Sequence, residues 1–249
     1  MNYNKKIPIE QENISLIIKS FEDGEFEYFE NFKEHPTVTK NGRGGTIWNH
    51  IHTQLVNNFD KKGFKTGIIE RGFWELVYLF DEKTKYLYTF MRSDNFSNLH
   101  NKKLSDKLFH YSNVLSRLNG NLLGTYTPEN QQLSFFDEVT IDVETDSKLE
   151  SLLKLMLSNI DDIVERYAIV LVACKHGEVK NIECVIPIAY MNPMYREDWS
   201  EFVSAEYDTT IYHVEETLPE EEEMAMYNTD SDIILSVRSD DNEEKKQIN

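Results

Sequence analysis

Apolar residues recur at helical spacing near the start of the chain and predict two amphipathic helices. The first covers residues 7–21, and the pair Asp23-Gly24 is predicted to end it. Thr46 is suited to cap the second helix. The apolar side chains of that second helix share one face: Ile47, Trp48, Ile51, Leu55 and Phe59. Both patterns indicate helices that pack against a core.

The middle of the chain predicts two further helices. Residues 104–123 carry leucine and tyrosine on one face, and residues 147–164 form the broadest apolar stripe in the sequence. Ser147 and Glu150 have the spacing of a capping box, which marks a helix start. Residues 198–207 predict one more short helix.

Runs of aromatic and β-branched residues predict two hairpins. Residues 67–80 and 86–92 form the first, joined by a polar loop. Residues 167–174 and 179–188 form the second, and their nearly continuous apolar composition indicates a central position in a sheet.

This order of elements predicts an α+β fold, with antiparallel β-hairpins forming a mixed or antiparallel sheet packed against several helices. One domain is expected over residues 1–213, with a helical N-terminal part at 1–66. Residues 214–249 are expected to form an acidic, largely flexible tail. The apolar residues 233–237 inside it are expected to dock as an edge strand or to bind a partner, and a tail that binds nothing is the alternative.

The net charge of −18 is unevenly distributed. Residues 214–249 contain 12 acidic and 3 basic residues, whereas residues 1–213 contain 32 and 23. A surface of this sign repels nucleic-acid phosphates and anionic membranes, which bind through Lys and Arg. We therefore expect no direct nucleic-acid binding and no membrane association. A basic protein, bound by the acidic surface and tail, is the expected partner.

A cytoplasmic location is expected. The N-terminal sequence lacks the apolar core of a signal peptide, and no apolar run approaches the roughly 20 residues that cross a bilayer. Cys174 and Cys184 flank the second hairpin turn and are expected to be small core residues.

Arg43 lies in a glycine-rich stretch, residues 41–45, just before the second predicted helix. Backbone N–H groups in such a turn can bind an anion, and a guanidinium can bind phosphate or carboxylate. The spacing matches neither the Walker motif nor the dinucleotide-binding motif, so a plain turn is favoured. His50 and His52 lie about 200° apart on a helix and are not expected to share a metal. No metal and no cofactor are predicted.

The charged residues Glu70, Arg71 and Glu75 lie at one end of an otherwise apolar run. On a single strand Arg71 and Glu75 share a face, and a structural ion pair between them is the favoured interpretation. The alternative is a ligand cleft at the end of the hairpin, where strand pairing brings Arg71 near Arg92.

His110 is the candidate general acid/base, because the pKa of histidine lies near neutrality. A structural, hydrogen-bonded role is the commoner one for a helical histidine. The sequence contains no local pattern of a nucleophilic triad or a nucleophile elbow. Enzymatic activity is left open, and the balance is against it.

Two stretches of sequence resemble a known family. The first combines RGFWEL at 71–76, YTFMR at 88–92 and HY at 110–111, and the second combines CVIP at 184–187 and EDWS at 197–200. They resemble an uncharacterised family from Gram-positive bacteria and their phages or mobile elements, over residues 43–202. The resemblance implies no known activity.

Two functions follow as hypotheses. The first is a regulatory or inhibitory interaction protein that binds a basic macromolecular partner. The second is an enzyme or small-ligand-binding protein that acts on a phosphorylated or nucleotide-like ligand, with Arg43, Arg71, Glu75 and Arg92 binding it and His110 as acid/base. Convergence of these side chains on one cleft would favour the second function.

Overall fold

The computed structural model describes residues 7–39, 41–60, 62–71, 74–125 and 141–203. Six strands form one sheet in chain order: β1 (Phe64–Arg71), β2 (Trp74–Asp81), β3 (Tyr86–Arg92), β4 (Arg166–Lys175), β5 (Glu178–Ile188) and β6 (Asn192–Asp198). The helices are α1 (Gln11–Glu34), α2 (Arg43–Phe59), α3 (Ser93–Asn101), α4 (Leu104–Lys107), α5 (Tyr111–Ser116) and α6 (Val143–Met156). Three 3₁₀ helices cover Arg117–Thr125, Ala189–Met191 and Ser200–Phe202. The α+β prediction is confirmed.

Neighbouring strands are antiparallel except β3 and β4, which are parallel. Helices α3 to α6 belong to the long connection between these two parallel strands. Each face of the sheet buries its own apolar cluster. Helices α1 and α2 cover one cluster, which includes Phe21, Trp48 and Tyr88. The other cluster lies against α3, α5 and α6.

Helix α1 does not end at Gly24, so that prediction was wrong. The helix continues to Glu34 because Gly24 faces α2, where a Cβ would lie 2.6 Å from the backbone nitrogen of Ile51. The glycine permits close contact between two helix backbones instead of terminating one. Helix α2 begins at Arg43, with Gly42 rather than Thr46 before it. The glycine-rich stretch therefore contributes the first turn of a helix.

The predicted strand 67–80 is two strands. Arg71 pairs with Trp74, so the chain reverses between them, and Glu70 pairs with Glu75. The loop after β2 is confirmed, and the Asp81 carboxylate accepts hydrogen bonds from the backbone N–H groups of Lys83 and Thr84. The second hairpin is also confirmed, with β4 at the centre of the sheet.

The predicted helix 104–123 is broken into α4, α5 and a 3₁₀ helix. The 3₁₀ helix places the fully buried Asn119 against the sheet. Its amide group donates to the carbonyl oxygens of Tyr167 and Pro187 at 2.8 and 2.7 Å, and its carbonyl accepts from the Tyr167 N–H at 3.1 Å. One side chain thereby joins this segment to β4 and β5.

Two further boundaries differ from prediction. Helix α6 begins at Val143 and ends at Met156, and the Asp142 carboxylate, not Ser147, caps it by accepting from the Thr145 N–H. The helix predicted at 198–207 is the end of β6 and a short 3₁₀ helix as far as it is described. Residues 204–249 lie outside the described residues. No helix among the described residues is long and apolar enough to cross a membrane.

Candidate functional site

The second half of α1 is the most distinctive surface of the described fold. Residues 22–34 contain six acidic residues and one lysine. Phe26 lies among them with 51% of its surface exposed. We call the following residues the α1 surface: Glu22, Asp23, Phe26, Glu27, Phe29, Glu30 and Glu34. An apolar ring surrounded by carboxylates is thus displayed on a regular helix.

Two carboxylates of the α1 surface are paired within the helix. Lys19 lies 2.8 Å from Asp23, and Lys33 lies 2.7 Å from Glu30. All four side chains are exposed. Exposed pairs of this kind contribute about 0.2 to 1 kcal/mol, so they restrict the side chains weakly.

Two other carboxylates hold α1 in place. Glu27 accepts a hydrogen bond from the Gln54 amide and lies 3.2 Å from Nδ1 of His50, both on α2. Glu22 accepts from the backbone N–H of Val179 on β5. The pKa of Glu22 is raised, and burial of the carboxylate is the largest cause. These contacts fix the orientation in which Phe26 faces outward.

Arg43 contacts aromatic rings of α1. Its guanidinium carbon lies 5.3 Å from the ring centre of Phe29 and 5.9 Å from that of Tyr28. Cation–π contacts of this geometry contribute roughly 0.5 to 1 kcal/mol at exposed sites. The sequence offered anion binding by Arg43 as the alternative to a plain turn, whereas the structure places its guanidinium at the edge of the α1 surface.

Arg92 forms a largely buried ion pair with Glu25 of α1. Nη2 of Arg92 lies 3.2 Å from Oε1 of Glu25, and the two side chains are 11% and 7% exposed. The Cys174 thiol lies nearby, and burial, with a smaller contribution from the Glu25 carboxylate, raises its pKa well above the usual value. Cys174 and Cys184 are free cysteines, of which Cys184 is the fully buried one. The Glu25 carboxylate therefore neutralises Arg92 at the junction of α1 and the sheet.

The structure tests only part of the predicted Arg71 and Glu75 site. Arg71 ends β1, and its side chain lies outside the described residues. Glu75 is exposed and lies opposite Glu70 rather than in line with Arg71. Strand β2 pairs with β3 only at Leu79 and Phe80, near the loop that joins them. Spatial proximity of the Arg71 and Arg92 side chains remains a prediction.

His110 caps helix α5. Its Nδ1 accepts a hydrogen bond from the Ser112 N–H at 3.3 Å and lies 2.6 Å from the Ser112 hydroxyl oxygen. The next residue, Tyr111, packs in the cluster beneath α3, α5 and α6. Arg92 pairs with α1, on the opposite face of the sheet. The described contacts of Arg92 and of the helix that His110 caps therefore lie on opposite faces of the sheet.

The paired histidines of α2 have different surroundings. His50 contacts Glu27 and lies 3.5 Å from the Asn31 amide of α1, whereas the His52 ring packs against Trp48 at 5.3 Å. Burial lowers the pKa of His52 to about 4. Across the described part of the chain, no group of three or more His, Cys, Asp or Glu side chains is placed to hold a metal ion.

Phe26 was not among the functional candidates that the sequence predicted. The alternation of acidic and aromatic residues after position 24 was visible, but a helix predicted to stop at Gly24 gave no face on which to place it. The continuous helix supplies that face. Of the predicted site residues, Arg43 and Arg92 contact neighbouring turns of α1, through Tyr28 and Glu25.

Comparison with known proteins gives a family and nothing finer. The model of a family of unknown function, DUF5986, matches residues 6–249. No match to the chain was found among curated proteins or among solved structures. The family assigns no activity, so the geometry of the site is the basis for any functional conclusion.

Proposed function

The chain belongs to the DUF5986 family of unknown function, and we propose that it is an interaction protein that binds a basic protein through the α1 surface. The proposal includes a cytoplasmic location and a regulatory or inhibitory effect on the bound partner. It also includes the origin implied by the resemblance, in Gram-positive bacteria, their phages or mobile elements.

The exposed Phe26 is the observation that carries the proposal. Most large apolar side chains on this side of the sheet are buried, and Phe26 keeps half of its surface in water although it lies mid-helix. A few residues near the centre of an interface, often aromatic ones, each supply about 2 kcal/mol or more of the binding free energy. Phe26 fits the role of such an anchor.

The charge around Phe26 selects the partner. Six acidic residues against one lysine over residues 22–34 create a negative field that attracts a basic surface and increases its rate of encounter. The exposed Lys19–Asp23 and Lys33–Glu30 pairs are weak enough for a partner's Lys or Arg to replace their lysines. The same field disfavours a nucleic acid or another polyanion.

The structure offers little for the alternative function. Arg92 is neutralised by Glu25, Arg43 packs on aromatic rings, and His110 lies on the other face of the sheet. A cleft for a phosphorylated ligand would need these cations to face a common space. The contacts of these three residues favour the interaction protein, and the part of the ligand site at Arg71 remains a prediction.

Affinity capture of the tagged full-length chain from its host, at low and high salt, tests the proposal. Three variants accompany the wild type: Phe26→Ser, Leu155→Ser and a tail variant with residues 220–223 changed from Glu to Gln. Leu155 is the matched control because it is 63% exposed on α6, another acidic helix, away from the α1 surface.

We expect the wild-type chain to capture a basic protein at low salt and to release it at high salt. Phe26→Ser should lose this protein, whereas Leu155→Ser should retain it. A smaller loss with the tail variant would show that the tail adds charge to the interaction. Capture of the same proteins by Phe26→Ser and by wild type would contradict the proposal. Co-purification of a small anion without any protein would restore the ligand-binding function.

A further inference from the structure

We propose that the acidic tail, residues 214–249, docks in cis on a lysine cluster formed by Lys102, Lys103 and Lys107, with the apolar residues 233–237 placed against Phe109. This inference concerns the arrangement of the chain itself and does not depend on the proposed partner.

The lysine cluster is an island of positive charge. Residues 93–125 contain four basic and two acidic residues in a chain of net charge −18. Lys102 and Lys103 join α3 to α4, and Lys107 is the last residue of α4. Phe109 follows two positions later and is 46% exposed. The patch thus combines ammonium groups with an apolar ring.

The ammonium groups of the cluster form no ion pair in the described fold. Lysines elsewhere, such as Lys65, Lys85 and Lys148, lie within 4.0 Å of an Asp or Glu oxygen. Within the described ranges, no such contact forms at Lys102, Lys103 or Lys107. Lys107 is only 8% exposed, and its ammonium donates to the His100 carbonyl oxygen at 2.8 Å. Burial lowers its pKa, and a nearby carboxylate would offset that effect.

The tail has the complementary composition. Its 12 acidic residues flank the apolar residues 233–237, with Asp230 and Asp232 before them and Asp240 and Asp241 after them. Carboxylates on both sides of a short apolar segment match ammonium groups beside an exposed phenylalanine. Charge complementarity and the burial of Phe109 would therefore both stabilise the docked tail.

The point where the chain leaves the described fold also favours this arrangement. Phe202 and Val203 pack on the cluster beneath α1 and α2, so the tail begins on the acidic side of the sheet. Like charges repel it from the α1 surface. The 30 residues from Val203 to position 233 span up to about 100 Å when extended. A 200-residue domain has a radius of gyration of about 17 Å, so the opposite face is within reach.

Carbodiimide cross-linking of the purified full-length chain, read by mass spectrometry, tests the proposal. This reagent joins a lysine amine and a carboxylate only where the two are in contact. We expect amide links from Lys102 or Lys103 to carboxylates of residues 214–249 at low salt, whereas the buried Lys107 should not react. They should vanish at 1 M salt, where the screening length falls to about 3 Å. Lys83 and Lys154 are the matched controls, because both are exposed and neither has an ion-pair partner among the described residues.

A second readout follows the tail itself and does not require a chemical reaction at the cluster lysines. Trypsin cleavage after Arg238, directly beyond the apolar residues 233–237, should be slow in the docked chain. The double variant Lys102→Glu with Lys103→Glu should accelerate it about fivefold or more, whereas Lys154→Glu should leave it unchanged. Lys107 is kept, because its bond to His100 contributes to the fold.

Three results would overturn the proposal. The first is a set of tail cross-links spread evenly over Lys83, Lys154 and the cluster. The second is equal cleavage after Arg238 in the charge-reversed double variant and in wild type. The third is a set of links that, in a mixture of isotope-labelled and unlabelled protein, joins different molecules, since that would assign the tail to a second copy.

Discussion

The two helical layers that cover the sheet are held by different means. Helices α1 and α2 are long, each has an apolar stripe, and they cross where Gly24 meets Ile51. On the other face, α4, α5 and the 3₁₀ helix Arg117–Thr125 are short, and buried polar groups organise them. Asn119 is the clearest of these, with three bonds to the backbone of β4 and β5.

The difference shows how each layer can fail. Close packing and apolar burial hold the first layer, together with the polar contacts of Glu22, Glu25 and Glu27, so added volume or the loss of a charge partner at the interface should disturb it. Directional hydrogen bonds hold the second layer, so the loss of one side chain leaves several backbone groups without partners. Substitutions at single positions separate these two cases, and they follow in order of expected effect.

Asn119→Ala should produce the largest loss. It leaves the Tyr167 N–H and two carbonyl oxygens buried without their bonds, at about 1 to 3 kcal/mol for each unsatisfied group. We expect the free energy of unfolding, measured with urea, to fall by about 4 kcal/mol. Asn121→Ala is the control, since Asn121 bonds the exposed Arg166 from the same 3₁₀ helix, and it should change stability by about 0.5 kcal/mol or less. Equal effects of the two variants would refute the role given to Asn119.

Glu25→Gln should cost about 3 kcal/mol, because it removes a buried charge partner of Arg92. The double variant with Arg92→Met should recover part of that loss, since an apolar pair can replace a buried ion pair at little cost. Urea unfolding of the single and double variants measures both effects. Glu25→Gln should also lower the pKa of the Cys174 thiol, measured by its rate of alkylation against pH. A double variant less stable than Glu25→Gln would contradict this account.

His52 should make the first layer sensitive to acid. Its pKa is about 4 in the folded chain and about 6.5 when unfolded, so the unfolded chain binds the extra proton first as pH falls. Stability should therefore decrease by about 2 to 3 kcal/mol from pH 6.5 to pH 4, and His52→Gln should remove that part of the decrease. Glu22, whose pKa is raised in the folded chain, should instead increase stability as the pH falls. Because Glu22 is present in both wild type and His52→Gln, its effect cancels in the comparison. Identical pH profiles for wild type and His52→Gln would rule out this role.

Gly24→Ala should lower stability by about 2 kcal/mol. The new Cβ would lie 2.6 and 2.7 Å from backbone atoms of Ile51, and this overlap outweighs the gain of about 1 kcal/mol in helix propensity. In Gly120→Ala the Cβ meets no atom within 4 Å, so that variant is the control. Thermal unfolding of Gly24→Ala and Gly120→Ala measures this difference. An increase in stability with Gly24→Ala would contradict the prediction and show that α1 and α2 can move apart.

The contrast between the layers also explains what sequence reasoning achieved. The α+β class, helix α2 and the hairpin of β4 and β5 were predictable, because their apolar periodicity is strong. The continuation of α1 through Gly24 was not predictable, because it depends on the contact of Gly24 with Ile51 of α2. The reversal between β1 and β2 and the helix breaks near Asn119 likewise depend on partners distant in sequence.

The candidate site was predictable only in part. The acidic composition, on which the proposal of a basic partner rests, is readable from the sequence. The exposure of Phe26 is not, because it requires knowing which face of α1 meets the sheet. The roles considered for Arg43 and Arg92 rested on a glycine-rich turn and on hairpin pairing, and tertiary contacts with Phe29 and Glu25 occupy their charges.

The affinity of the captured partner for two matched phenylalanine variants tests the central claim most directly. Phe26 and Phe109 are exposed to 51% and 46%, but they lie on opposite layers. We predict that Phe26→Ser raises the dissociation constant at least tenfold, the equivalent of about 1.4 kcal/mol, while Phe109→Ser leaves it within about twofold of wild type. Equal effects, or a larger effect of Phe109→Ser, would show that the partner does not bind the α1 surface.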